Sequence, residues 1–436
     1  MLIELHGRNF GCFRDDFCLS MLAADIDANS PRGIVEAHIV GDPEPLRLLR
    51  AVAIYGPNAS GKSTVLRAAG ALRNLIEQSA VLQSDEPLRE YEPFGLGESS
   101  PPSRLGIKAV VDGAVYEYAV EFDGNKFFSE KLVRLNAAGA ETVLIERTEQ
   151  QVDGTWKQDP QFALIAQNFR QNALLLSLAD RLAPGLAKSI AVGFRRLLST
   201  RAPASTPQSP LMMSLVAKRA RDDVKFRDWL LNHLKAADVG VVDLRTEQRG
   251  TFFRTRGAKD DDSAPDIPAV GTMYQMALMH QGGPDAFAVP YRRESQGTNR
   301  LIELAPILYD LATAAEARAA FVDEIHESLH PMVLRHLIEY FNCELPAEKL
   351  HGQLVFATHE TALLDAEASQ NVLRRDQIYL TEKDASGASR LYSVAEFRER
   401  NNLNLRRRYL QGRYGALPAF GATSEQCADG PGPSSR

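Results

Sequence analysis

Apolar and polar positions in this chain repeat with two periods, and the changes of period mark its elements. Leu48 to Tyr55 is mostly apolar and rich in branched residues, which predicts one buried strand. Val65, Leu66, Ala69, Leu72 and Ile76 then recur at helical spacing. Residues 1–24 predict two short strands around a turn, with Leu2, Ile3 and Leu5 first and Phe13, Phe17 and Leu19 later. Residues 25–47 are mixed, with Pro and Gly punctuation.

From Pro93 to about Glu146 the period is two. Segments Arg104–Val111, Ala114–Phe122, Phe127–Leu135 and Thr142–Arg147 are separated by turns, among them Asp112-Gly113 and Asp123-Gly124-Asn125. Alternating strands joined by Asp-Gly turns predict an antiparallel meander, with Tyr116, Tyr118, Val120 and Phe122 on one packed face. Residues 160–235 return to helical spacing, with a Pro/Ser/Thr break at 201–210 and a last helical piece from Met212 to Ala237. Val239–Leu244, Met273–His280 and Phe287–Tyr291 read as strands. The run Lys259-Asp260-Asp261-Asp262 reads as a solvated loop, with metal binding as the competing reading. A helix over Gly297–Ala312, a buried strand ending at Asp323-Glu324, a helix over Pro331–Phe341 and strands at Leu354–His359 and Gln377–Leu380 follow. The expected organisation is 1–150, a helical insertion at 151–237, 238–420, and a disordered Pro/Gly-rich tail at 421–436.

Composition adds limits. With 436 residues, two or three domains or one core with large insertions are expected. The apolar share of 44% and charged share of 24% are those of a soluble globular protein. No stretch reaches the ~20 apolar residues of a membrane span, and the N-terminus does not read as a signal peptide. Cys12, Cys18, Cys343 and Cys427 show no metal-ligand spacing, so a reduced, cytoplasmic location is expected. The net charge of −6 excludes a global basic footprint for nucleic acid and leaves a local groove open.

The candidate chemistry centres on Gly56-Pro57-Asn58-Ala59-Ser60-Gly61-Lys62-Ser63-Thr64, a complete G-x-x-x-x-G-K-[ST] loop between a strand and a helix. Glycines let successive N–H groups face a polyphosphate, and the helix adds its positive end. Lys62 can reach the β- and γ-phosphates of ATP, and the Ser63 hydroxyl can ligate Mg²⁺. Phe321-Val322-Asp323-Glu324 suits a second motif, with Asp323 holding the metal through water and Glu324 as general base. Ser295, Gly297 and Thr298 open a helix, where a hydroxyl and N–H groups can bind an anion; an ordinary N-cap is the competing reading. His359 follows a strand end, at the edge where open α/β sheets bind ligands. Ser328-Leu329-His330-Pro331 precedes a helix, where a subunit contact could form.

The order of these motifs resembles ATP-binding-cassette ATPases of the SMC, RecF and OLD kind over residues 1–80 and about 285–420. It is most similar to prokaryotic AAA-type ATPases of phage-defence operons: the RloA/AbiL type, the PARIS ATPase and retron-associated ATPases. In these, Ser-x-Gly-Thr replaces the transporter signature. Ile378–Lys383 and Tyr409–Pro418 also look like the RloA type. The resemblance implies an α/β P-loop fold of the cassette type, with the meander and the helical insertion added. It implies ATP and Mg²⁺ clamped between two head-to-tail subunits, in a dimer or a higher oligomer. One subunit would supply Lys62, Ser63, Thr64, Asp323, Glu324 and His359, and the other Ser295 and Gly297. His359 would sense the γ-phosphate. Gln78 and Gln83 are candidates for a Q-loop glutamine, and Asn9-Phe10 resembles the N-terminal segment of the SMC type.

Two functions follow from different classes. The first is an ATPase switch of anti-phage defence, or of a toxin–antitoxin pair, that controls a separate effector such as a Toprim-type nuclease. The chain shows no Toprim-like carboxylate cluster of its own. The second is a RecF/SMC-like repair ATPase on duplex DNA, using the basic run Arg398, Arg400, Arg406, Arg407, Arg408 and Arg413; a solvated helix face or a partner-docking segment is the alternative reading of that run. A transporter ATPase is disfavoured by the meander and by Ser-x-Gly-Thr.

Overall fold

Short apolar runs at the N-terminus fold as β1 (Leu2–Arg8) and β2 (Phe17–Ser20), antiparallel with Leu5 opposite Leu19. The computed structural model describes residues 1–25, 32–95, 101–182, 185–201, 210–237, 240–253, 270–282, 285–344, 351–365, 372–397 and 404–418. The expected tail, the acidic run 259–262, most of the break at 201–210, Arg398, Arg400 and Cys427 lie outside them.

The apolar run from Leu48 to Tyr55 is two strands rather than one. Its start belongs to β4 (Leu46–Leu49), paired antiparallel with β3 (Ile34–Ala37), and its remainder is the fully buried β5 (Ala51–Tyr55). The break falls at Arg50, whose N–H donates to the Gly33 carbonyl and whose carbonyl accepts from Leu354 N–H, both at 2.8 Å. The first half pairs with the neighbouring β3 and the second with the distant strands Gly352–Ala357 and Ile378–Lys383, a division local hydrophobicity cannot encode. Helix α1 (Lys62–Gln78) follows, burying the predicted Val65, Leu66, Ala69, Leu72 and Ile76.

The meander consists of β6 (Ser103–Val111), β7 (Ala114–Phe122), β8 (Phe127–Leu135), β9 (Glu141–Thr148) and β10 (Gln151–Asp153). With β1 and β2 it forms a seven-stranded antiparallel sheet, β10-β9-β8-β7-β6-β1-β2. Asp112 and Gly113 both take positive φ (48° and 73°), the backbone of a two-residue hairpin turn whose twist matches its strands. Tyr116, Tyr118, Val120 and Phe122 are buried, as the alternation predicts.

Residues 151–237 contribute to two layers. Helices α2 (Pro160–Gln167), α3 (Leu175–Leu182) and α4 (Leu186–Leu197) share a core with α1 and the meander. β11 (Ser199–Arg201) then joins the edge of the central sheet. The piece read as one helix from Met212 to Ala237 is two: α5 (Pro210–Asp222) and α6 (Val224–Ala236). Asp223 between them has extended backbone, and its carboxylate accepts from Phe226 N–H at 3.0 Å, an N-cap that starts a new helix. Both helices pack on a three-stranded antiparallel sheet of β12 (Val241–Phe253), β13 (Val270–Gly282) and β14 (Asp285–Pro290).

The remaining elements are α7 (Gln296–Ala312), β15 (Arg318–Val322), α8 (Pro331–Glu339), β16 (Gly352–Ala357), β17 (Ile378–Lys383), β18 (Ser389–Ser393) and α9 (Leu405–Leu410). The central sheet runs β11-β15-β16-β5-β17-β18, parallel throughout except for β18 at its edge. Strands β5, β15 and β16 are buried on both faces. Val52, Ile54, Phe321 and Val355 face the core with α1; Ala53, Tyr55, Val322 and Phe356 face the core with α7 and α8. Val322 pairs with Phe356, and Ala357 with Ile54. The segments that follow β5, β15 and β16 therefore leave at one carboxyl edge, where such sheets bind ligands. The architecture is α/β with added antiparallel sheets.

Candidate functional site

The glycine-lysine loop turns at that edge between β5 and α1. Gly56, Ala59 and Gly61 have φ of 151°, 60° and 113°. Gly56 has no room for a side chain: a Cβ there would stand 2.4 Å from the Thr381 carbonyl. Thr381, at the next strand, also meets Ser60, with the two hydroxyls 2.5 Å apart. Lys62 is buried, and its ammonium donates to the carbonyls of Gly56 (3.0 Å) and Pro57 (3.2 Å). Burial pulls its proton affinity down, while the charges of Glu324 and then Asp323 hold it up. Those carboxylates thus lie within electrostatic reach of the loop.

A cavity of about 410 Å³ opens here. Its walls are residues 58–64, Arg67, Glu324, and Gly11 and Cys12 from the turn after β1. Cys12 Sγ lies 3.4 Å from the Thr64 hydroxyl. Ser63 is exposed in the first turn of α1 and lines the cavity.

Glu324 carries the local strain. Its φ is 43°, a left-handed conformation rare outside glycine, asparagine and aspartate. Its carboxylate lies 3.6 Å from His359 Nε2 and 3.5 Å from His326 Nδ1, and the two rings are 5.7 Å apart, edge to face. Desolvation raises the Glu324 pKa, opposed by the charges of His326 and Lys62. Desolvation also lowers that of His359, to about 4, helped by Lys62 and His326. His359 is therefore a neutral imidazole at pH 7, able to offer one N–H and one lone pair. Asp323 Oδ1 accepts from the Glu324 N–H at 3.1 Å.

Arg300 supports this turn from below. It is buried in α7, and its Nη2 donates to the carbonyls of Asp323 (3.4 Å) and Glu324 (3.3 Å). Its Nη1 lies 3.6 Å from Glu303 one turn on. The helix that opens at Ser295 is thus tied directly to the strained carboxylate turn.

Ser295 caps α7, its hydroxyl accepting from Thr298 N–H at 3.1 Å and meeting the Thr298 hydroxyl at 2.9 Å. It is exposed. Gly297 abuts the loop after β15: a Cβ would stand 2.8 Å from the carbonyl of Ser328, itself at φ 62°. Ser295, Gly297 and Thr298 form no part of the wall around the glycine-lysine loop in the same chain.

Of the sequence candidates, Lys62, Ser63 and Glu324 line one cavity, His359 and Asp323 adjoin Glu324, and the Ser295 turn packs on the loop after β15 outside that wall. Gln78 ends α1, about 24 Å along the helix from Lys62, too far to reach the loop. His326 and Arg300 were missed. Each sits close in sequence to a flagged motif, two residues after Glu324 and five after Ser295, but only the folded turn brings them onto it. The donor set fits Mg²⁺: a hydroxyl at Ser63 and a carboxylate at Asp323 are hard oxygen ligands, and this cation takes few of them from protein beside phosphate and water.

The sequence profile of the family described as "AAA domain, putative AbiEii toxin, Type IV TA system" matches residues 51–365, and the chain belongs to that family. The matched span holds the glycine-lysine loop, the Asp323-Glu324 turn and His359. No curated protein matches the chain. Among solved structures, an SMC head domain from Thermotoga maritima is similar over 90% of this chain and 98% of its own, at 13% identity and a TM-score of 0.40. An SMC head bound to the C-terminal winged-helix domain of ScpA is similar over 90% and 97%, at 12% identity and a TM-score of 0.44.

Proposed function

We propose that this protein binds and hydrolyses Mg·ATP between two head-to-tail copies of itself, and that the cycle switches a separate effector. The observation that carries this reading is the division of the motifs. Lys62, Ser63 and Glu324 line one cavity, with His359 and Asp323 against Glu324, while the exposed Ser295 is not part of that cavity's wall. A second copy would bring its Ser295 turn to the open side. The positive end of α7 and its N–H groups would then face the γ-phosphate.

Bound ATP would contribute the triphosphate, and Mg²⁺ would neutralise charge on it. The chain's own groups do the rest. Lys62 leaves its loop carbonyls for the phosphates. Glu324, short of solvation and strained, accepts a proton from the attacking water. Neutral His359 donates toward the γ-phosphate or orients that water. Arg300 carries the state of the Glu324 turn into α7, so closure at Ser295 and readiness at Glu324 are mechanically joined.

The family's description, which reads "putative AbiEii toxin, Type IV TA system", supports a place in a toxin–antitoxin pair, and the separate effector rests on the resemblance to defence ATPases alone. A Toprim-type nuclease is the leading candidate for the effector. The duplex-DNA reading has weaker support: Arg406 of its basic run is engaged by Asp365 at 2.6 Å.

The test is nucleotide-dependent assembly of Glu324→Gln, followed by light scattering. Mg·ATP should drive this variant from single chains to a stable closed dimer, and ADP should not. A molar mass independent of nucleotide would refute the sandwich.

A further inference from the structure

A second cleft lies at the opposite, amino edge of the central sheet. It has a volume of about 310 Å³, and its walls include Arg73, Arg195, Arg196 and Arg318. These arginines come from three different elements: α1, the last turn of α4, and the first residue of β15. Val192 and Ile307 supply apolar surface between them.

Four arginines line the cleft, three of them paired with carboxylates that stand outside it. Arg73 pairs with Glu77 at 3.5 Å, Arg195 with Asp180 at 2.6 Å, and Arg196 with Glu316, but none of those carboxylates lines the cleft. Among the described residues, the one carboxylate in the wall, Asp310, is held by Arg219 at 2.5 Å. Arg73 Nε is buried with no hydrogen-bond partner among the described residues. Cations at the end of α4 could simply answer its dipole, which would account for Arg195 and Arg196. It would not account for Arg73 and Arg318, which arrive from other elements.

We propose that this cleft binds a small phosphorylated ligand, of mononucleotide size or less. Guanidinium forks match phosphate oxygens two at a time, and several forks around one cavity suit a phosphate group. The volume is at the lower end for small-molecule sites, and the apolar wall suits a compact organic body. The location adds interest. α1, α7 and β15 all contribute to this cleft, and their other ends carry Lys62, the Ser295 turn and Asp323-Glu324. Arg73 is about 16 Å along α1 from Lys62, so the two sites are distinct.

Titration calorimetry with inorganic pyrophosphate tests this, using the full chain carrying Lys62→Ala in a metal-free buffer, so that the glycine-lysine loop competes weakly. One molecule should bind per chain. Adding Arg318→Glu, or separately Arg196→Glu, should weaken binding by about tenfold or more while the melting temperature stays within a few degrees. Equal pyrophosphate affinity in the parent and both reversed-charge variants would overturn the proposal. So would failure to bind pyrophosphate with Arg318-dependent binding of a duplex oligonucleotide, which would assign the arginines to a nucleic-acid backbone.

Discussion

Glu324 and His359 face each other across 3.6 Å, and each holds a shifted proton affinity: the carboxylate raised, the imidazole lowered to about 4. Both shifts have burial as their first cause, so the pair behaves as an acceptor and a neutral partner at pH 7. Replacing the acceptor should separate binding from chemistry. Glu324→Gln should retain nucleotide affinity while turnover falls on the order of 10²- to 10⁴-fold, the usual worth of a general base. Steady-state phosphate release, with ATP binding measured in parallel, checks this. Hydrolysis at the parent rate would assign the base elsewhere.

The lowered His359 pKa also predicts a stability profile. An unfolded histidine takes its proton near 6.5, whereas the folded one resists until about 4. The unfolded state thus binds more protons in that window, and His359 makes the fold less stable as pH falls from 6.5 toward 4. Above 6.5 both states are neutral and the contribution vanishes. His359→Gln should therefore melt with a shallower acid dependence between those limits and an unchanged one above. Parallel melting curves for parent and variant across the whole range would contradict the assignment.

Lys62→Ala removes a charge-assisted contact worth about 1.5–3 kcal/mol, so ATP affinity should fall roughly 10- to 100-fold. Fluorescent-nucleotide titration reads it directly. Unchanged affinity would remove the glycine-lysine loop from the site.

Arg300 is a positioning residue rather than a participant. Arg300→Gln frees the carbonyls of Asp323 and Glu324, and the strained turn should relax. Turnover should drop on the order of 10²-fold with ATP affinity intact, as expected when a catalytic group shifts by about 1 Å. If affinity falls and turnover per bound ATP does not, Arg300 serves stability alone.

The glycine-lysine loop, its helix and the meander were legible because each is specified locally. The α1 face is periodic over five apolar positions, and Asp112-Gly113 can only make one tight turn economically. The strand boundary at Arg50 was not legible, because it is set by Gly33 and Leu354, far away in the chain. Asp223 gave a visible N-cap signal inside an apolar period, and the period won the reading wrongly. The carboxylate turn shows the same split. Asp323 and Glu324 stand at the end of an apolar run, but the positive φ of Glu324, the approach of His326 and the grip of Arg300 arise only when α7 packs beneath β15.

The shared pocket is tested most directly by mixing two inactive variants, Lys62→Ala and Ser295→Arg, and measuring ATP hydrolysis. In a head-to-tail pair, the Ser295→Arg chain supplies an intact Lys62 and the Lys62→Ala chain an intact Ser295. Random pairing then restores roughly a quarter of the sites of a two-fold dimer, and activity should rise toward a quarter of the parent rate. A mixture no more active than the sum of its parts would mean that each chain completes its own site.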